Sequence, residues 1–151
     1  MKSGIRNVSF DDHANIIGVT CPLGFQIVDG SSGAALSICS IPQFSSGCNL
    51  ISTLGISNIL AITPLEENEK SVYIWDRNNN CQMAKIDYNM PVVAVIIKPE
   101  FIIAATTKNV QVRNLSDSSL LIKFETTFNR DGVFDTPSSF SSNIIAFPAT
   151  D

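Results

Sequence analysis

From Pro91 to Thr127 the chain alternates short apolar runs with polar breaks. VVAVIIK, FIIAATT, VQVRNL and LLIKFETT are separated by Pro-Glu, Lys-Asn and Ser-Asp-Ser-Ser. The runs are rich in Val, Ile and Thr, which suit a pleated surface packed on its faces. No break is long enough to hold a crossover helix, so consecutive runs must pair antiparallel as a meander.

The same pattern recurs along the chain. The second run, EFIIAAT from Glu100, has counterparts in NIIGVTC from Asn15, NILAITP from Asn58 and NIIAFPA from Asn143, spaced by 43, 42 and 43 residues. The third run recurs as GFQIVDG, SVYIWDR and NVQVRNL, each alternating apolar with polar residues and ending in a turn. Fourth runs follow as ALSICSI, QMAKIDYN and LLIKFETT. A four-stranded unit with a period in the low forties predicts an all-β fold, a partial β-propeller. Residues 5–44, 48–89 and 91–127 form three antiparallel blades, and 132–149 the first hairpin of a fourth, in one incomplete domain. A β-sandwich also uses short strands, but it does not predict this period.

Composition fits strands buried on both faces, because only 16% of residues are charged while 44% are hydrophobic. The ten Lys and Arg are scattered with no two adjacent and the net charge is −4, against the clustered basic footprint of a nucleic-acid binder. Cys21, Cys39, Cys48 and Cys81 have no CxxC spacing, and His13 is the one histidine, so neither a zinc site nor a cofactor is expected. The amino terminus has no apolar signal segment, and no apolar run approaches the ~18 residues of a transmembrane helix, which reads as a cytoplasmic chain with reduced thiols.

Candidate chemistry is sparse. His13, in FDDHAN, has no nucleophile or metal partner at an interpretable spacing and reads as a turn hydrogen-bonder. Trp75 sits in an alternating strand and reads as packed between units. Asp76, Asp87 and Asp117 lie in or beside turns, where they stabilise local backbone. The sequence has no Gly-rich phosphate loop, paired carboxylates or triad pattern, so an enzyme is not expected.

NVSFDDHANIIGVTCPLGFQIVD, with Phe10, Asp12, Gly18, Thr20, Gly24 and Phe25, resembles the first blade of the PROPPIN family, the WIPI-type autophagy proteins. SNILAITP with the ENEK loop and SVYIWDRNN resembles the second blade. PVVAVIIKPEFIIAATTKNVQVRNLSDSSLLIKFET resembles the third, and Ala146-Phe147-Pro148 the entry to the fourth.

The resemblance implies a seven-bladed WD-repeat-like adaptor that binds phosphatidylinositol 3-phosphate or its 3,5-bisphosphate. Such an adaptor recruits lipid-transfer or conjugation factors of autophagy, at the periphery of phagophore or endosomal membranes. The family's lipid-binding Arg-Arg run belongs to the fifth and sixth blades; this chain stops before them and has no adjacent arginines, so no lipid-binding residue is assigned. Lipid binding is expected only if the missing blades are supplied.

The family's partner groove, between blades two and three, falls inside the chain. Its candidate rim is Lys98, where relatives carry basic residues, although Pro99 and Glu100 depart from that pattern. Glu66, Glu67, Glu69 and Lys70 form the other candidate contact; read without the resemblance, both groups are solvated turns. Two other readings stay open: a WD-repeat scaffold with no lipid role, and a half-propeller that closes as a homodimer. Against the dimer, the last hairpin needs strands that a partner's complete first unit does not offer. Open apolar strand faces at both ends predict low solubility or self-association.

Overall fold

A computed structural model describes residues 4–11, 13, 15–66, 69–137 and 144–149. Strands β1 (Val8–Phe10), β2 (Ile16–Cys21), β3 (Gly24–Asp29) and β4 (Ala35–Ser40) make sheet one. Strands β5 (Cys48–Thr53), β6 (Ile59–Pro64), β7 (Ser71–Asp76) and β8 (Cys81–Asp87) make sheet two. Sheet three holds β9 (Val92–Ile97), β10 (Phe101–Thr106), β11 (Asn109–Asn114) and β12 (Leu120–Glu125). In each sheet every strand pairs antiparallel with its neighbour in sequence.

The repeat extends to fine detail. The register between third and fourth strands slips at one equivalent place per sheet, between Ile27 and Val28, Ile74 and Trp75, and Val112 and Arg113. Such irregularities raise local twist, which lets flat meanders fan out as blades. The turn that follows opens each time on a side-chain acceptor. Asp29 Oδ1 takes the amides of Ser31 and Ser32, Asp76 Oδ1 those of Asn78 and Asn79, and Asn114 Oδ1 that of Ser116. Four residues on, the backbone turns left-handed at Gly33 (φ 71°), Asn80 (φ 48°) and Ser118 (φ 62°). Gly and Asn accept that geometry readily; Ser118 adopts it at a cost.

Packing follows from the two-residue period of a strand. On β6, Leu60 and Ile62 enter the core shared with sheet one, while Ala61 between them enters the core shared with sheet three. β7 repeats this, with Tyr73 and Trp75 toward sheet one and Val72 and Ile74 toward sheet three. On β10, Ile102 and Ala104 face sheet two, and Ile103 and Ala105 face the fourth unit. Two-sided burial of this kind explains the low charge content.

Polar bonds tie the sheets together near their inner strands. The Thr20 hydroxyl donates to Asn49 O at 2.9 Å, and the Ile97 amide donates to Ser52 Oγ at 3.1 Å. Gly18 on β2 is buried against Ile51 of β5, and a Cβ added there would stand 3.1–3.2 Å from three Ile51 carbons.

The fourth unit is present as two paired segments. Asp135 and Ala146 exchange both backbone bonds (3.0 and 2.9 Å), and Thr126 bridges Ala149. Phe134, Ile145 and Phe147 lie on sheet three, with Phe147 5.0 Å from Phe124 between ring centroids. Residues 138–143, within the anticipated hairpin, lie outside the described residues. The face of sheet one turned away from sheet two carries Phe10 and Ile38, which are 62% and 76% exposed.

Candidate functional site

Three kinds of surface are candidates: turns at the two ends of the sheets, seams between sheets, and the open face beyond sheet three. Among the described residues no group of three or more His, Cys, Asp and Glu can hold a metal ion. His13 is exposed in the β1–β2 turn, and the buried Asp11 closes that turn by accepting the Ile16 amide at 2.8 Å. Trp75 is 2% exposed, stands 6.3 Å from Phe44 between ring centroids, and donates from Nε1 to Asn80 Oδ1 at 3.3 Å. Its role is core packing.

The candidate rim residues fall at opposite ends of β9. The Val92 amide, opening that strand, donates to Glu69 O at 2.9 Å, and Lys98 follows its last residue, Ile97. A six-residue strand spans roughly 20 Å at ~3.3 Å per residue. Lys98 is thus not brought together with Glu66, Glu69 and Lys70. The Lys98 amide closes its turn on Phe101 O (2.8 Å), and its ammonium reaches Pro137 O at 3.4 Å, toward the fourth unit. At the other end Glu69 Oε1 accepts the Ser71 amide at 2.6 Å, Lys70 O accepts the Tyr88 amide at 2.8 Å, and Glu66 O accepts from Glu69. Glu67 lies outside the described residues.

Between those ends runs a seam that sequence reading missed. On β11, Gln111 and Arg113 pair with Ala104 and Ile102, and so point toward sheet two. Arg113 donates from Nε and Nη2 to Gln111 Oε1 (3.3 and 3.0 Å) and from Nη1 to Ser118 O (3.0 Å). Its guanidinium lies 5.2 Å from the Tyr88 ring centre, within range of a cation–π contact. Gln111 in turn donates to Asn109 Oδ1 at 3.0 Å. The acceptors holding Arg113 are neutral, which leaves its charge available to an incoming anion. The Tyr88 hydroxyl is buried with no hydrogen-bond partner, and burial pushes its pKa up to about 12, with Arg113 pulling the other way. VQVRNL carried part of the signal, two polar residues at alternate positions of a strand, but nothing in it names the neighbour they meet.

Beyond sheet three, a cleft of about 650 Å³ lies against the fourth unit, lined by Phe101, Val112, Ile122, Phe124, Ile145 and Phe147 among others, with Lys98 at its edge.

No family model and no curated protein matches the sequence. Solved structures do. Hsv2 of Kluyveromyces marxianus matches at TM-score 0.78 and 14% identity, over 90% of this chain and 42% of that one. KlAtg21, in its complex with the coiled coil of AgAtg16, matches at TM-score 0.69 and 13% identity, over 81% and 39% of the two chains. The fold is a PROPPIN-like β-propeller. Sqt1 of Saccharomyces cerevisiae matches at TM-score 0.65 and 12% identity, over 92% and 40%. The chain thus spans about two fifths of the length of these propellers. Within its described residues there is no helix long and apolar enough to cross a membrane.

Proposed function

We propose that this chain is a non-catalytic propeller adaptor whose working surface is the seam between sheets two and three, and whose partners are autophagy conjugation or lipid-transfer factors. One observation carries the reading: Arg113 is fixed in that seam by neutral acceptors, in a fold matched by a propeller solved with a coiled-coil partner. Lys98 at one end of the seam, and Glu66, Glu69 and Lys70 at the other, frame the contact. Glu67 belongs to the second group by sequence. The domain is read as three blades (5–44, 48–89, 91–127) and a partial fourth (132–149). On this reading, phosphatidylinositol 3-phosphate or 3,5-bisphosphate binding, and residence at phagophore or endosomal membranes, belong to blades outside these 151 residues.

The test is surface-plasmon binding of the full chain to the AgAtg16 coiled coil used as probe. Arg113→Glu and Lys98→Glu should each weaken binding by about tenfold, the loss of ~1.4 kcal/mol that one charge-assisted contact supplies. Absence of coil binding would end the autophagy reading and leave a WD-repeat-like scaffold without lipid binding, which the Trp75-Asp76 dipeptide and the Sqt1 likeness favour. In parallel, liposome co-sedimentation should show no dependence on 3-phosphorylated inositides. Inositide-dependent binding by this chain alone would contradict the assignment of the lipid site to other blades.

A further inference from the structure

Asp29, Asp76 and Asn114 open equivalent turns. The residues after them, Gly30, Arg77 and Leu115, donate their amides to Asn15 O, Asn58 O and Glu100 O at 2.8–2.9 Å, and so are one position of the repeat. In sheet three its occupant, Leu115, packs on the core shared with sheet two. The same position in sheet two therefore looks toward sheet one, and there it carries an arginine. Burial raises the Cys39 thiol on β4 of sheet one, while the Arg77 charge and then the Ser37 hydroxyl pull it down, which sets both beside it in that seam. Arg77 is held differently from Arg113. On Arg113 the edge formed by Nε and Nη2 grips one oxygen, Gln111 Oε1, at 3.3 and 3.0 Å. On Arg77, Nε is buried with no hydrogen-bond partner, and Nη2 reaches Ile56 O only at 3.5 Å. The Ser37 hydroxyl is buried without a partner too. Arg77 enters no ion pair among the described residues, and Asp76, its neighbour in the chain, accepts from Asn58, Asn78 and Asn79 instead. A buried donor left unmet is costly, and an oxygen acceptor brought to it relieves that penalty.

We propose that the Nε–Nη2 edge of Arg77, with Ser37 across the seam, is a carboxylate-binding site between sheets one and two. Both groups can donate and neither is an anion, so the ligand brings the acceptors. Two parallel N–H bonds suit the paired oxygens of a carboxylate or a phosphate. One guanidinium balances one negative charge, and the carboxylate of Asp76 next to it in the chain opposes a second, which favours a carboxylate over a phosphate dianion. Ile56, 75% exposed on the turn that Arg77 touches, offers an apolar rest for the aliphatic part of the acid. The acid is a free small molecule or the side chain of a peptide. Every group of the site belongs to sheets one and two or the turns between their strands, and none belongs to the Arg113 seam.

The test follows the Arg77 Nε–H signal in nitrogen-15 spectra of the full chain, assigned by its loss in Arg77→Lys. The probes are acetyl-Leu-Glu-Leu-amide, butyrate, acetyl-Leu-Gln-Leu-amide and inorganic phosphate. The signal should shift saturably with the Glu peptide and with butyrate. Tighter binding of the peptide names a peptide side chain as the source of the carboxylate, tighter binding of butyrate a free acid, and either order supports the site. The Gln peptide should leave the signal in place, and phosphate should bind more weakly than either carboxylate. Followed on the Ile56 amide, Arg77→Lys keeps the charge but loses the paired edge, and should weaken binding about tenfold. Ser37→Ala should weaken it severalfold. Arg77→Leu, which installs the residue found at the equivalent place in sheet three, should abolish binding and melt no lower than the parent. Absence of a saturable shift overturns the proposal, as does equal binding of the Gln peptide, tighter binding of phosphate, or unchanged affinity in Arg77→Lys. An Arg77→Leu protein that melts lower would make Arg77 a structural residue and overturn it as well. A shift of the Arg113 Nε–H signal alone would give the carboxylate to the other seam, and overturn this site while leaving the coiled-coil reading standing.

Discussion

Gly18 offers a test in which two architectures predict opposite signs. It lies in the middle of β2, where a strand glycine ordinarily lowers stability, and replacing it should return ~0.5–1 kcal/mol. Here the added carbons meet Ile51 Cδ1, Cγ1 and Cγ2 at 3.1–3.2 Å, and Ile51 is 2% exposed with little room to retreat. Overpacking of this kind costs ~1–3 kcal/mol. Gly18→Val therefore loses about 1–2 kcal/mol net, or about 2–8 °C of melting temperature at ~2–4 °C per kcal/mol for a chain of this size. Ile51→Ala alone should cost ~2–5 kcal/mol. In the double variant the introduced valine side chain fills part of the void left by Ile51, so the two costs should fall short of additive by ~0.5–3 kcal/mol. Urea unfolding of the four proteins of the cycle measures this. A Gly18→Val protein that melts higher than the parent, or costs that simply add, would refute the packing of sheet two on sheet one.

Other outcomes follow from the turns and thiols. Asp29 is held at about 2, against an ordinary 3.8, by hydroxyl donation from Ser31 and then by the amide and hydroxyl of Ser32. Asp76, Asp87 and Asp117 are lowered as well, mainly by side-chain donors from Asn58, Ser71 and Ser119. Depressed folded values favour the folded state above the ordinary aspartate range and cease to do so as pH falls through them. The melting temperature should accordingly be level above that range and drop between 3.8 and about 2, less steeply in Asp29→Asn; a flat profile would contradict the turn geometry. Cys48 is buried, and burial pushes its thiol up to about 12, while Cys81 is exposed. Near-neutral thiol reagents should label Cys81 in the native protein and Cys48 only on unfolding, as peptide mapping would reveal. Ser118→Gly should raise stability by ~0.5–1 kcal/mol by relieving a left-handed backbone, and Gly33→Ala should lower it by ~1–2 kcal/mol. Denaturant midpoints that moved the other way would place the strain elsewhere.

The strands were legible because each is a short run whose alternate residues face different neighbours, and because the run starting near Asn15, Asn58 and Glu100 recurs at one period. Trp75 was legible for the same reason: an aromatic residue at an inward position of an alternating strand packs. The seam was not. Arg113 and Tyr88 sit in different sheets, and only the stacking of sheet three on sheet two brings them together. Lys98 and Glu69 looked like two sides of one groove because both border the same pair of units. In a meander, however, the turn after a first strand and the turn after a second strand lie at opposite ends, and β9 holds these two apart. The apolar ends of the arc were anticipated from the repeat count; the cleft was not, because its shape depends on how far Ile145 and Phe147 cover sheet three.

Radial stacking is tested most directly on β6, whose successive residues must look in opposite directions. In a methyl-labelled sample, nuclear Overhauser contacts from Leu60 and Ile62 should reach methyl groups of sheet one, such as Ile16 and Ile27, while those from Ala61 reach Val95 and Ile102 of sheet three. Contacts from all three residues to a single neighbouring sheet, or none from Ala61 beyond its own sheet, would contradict a propeller arc.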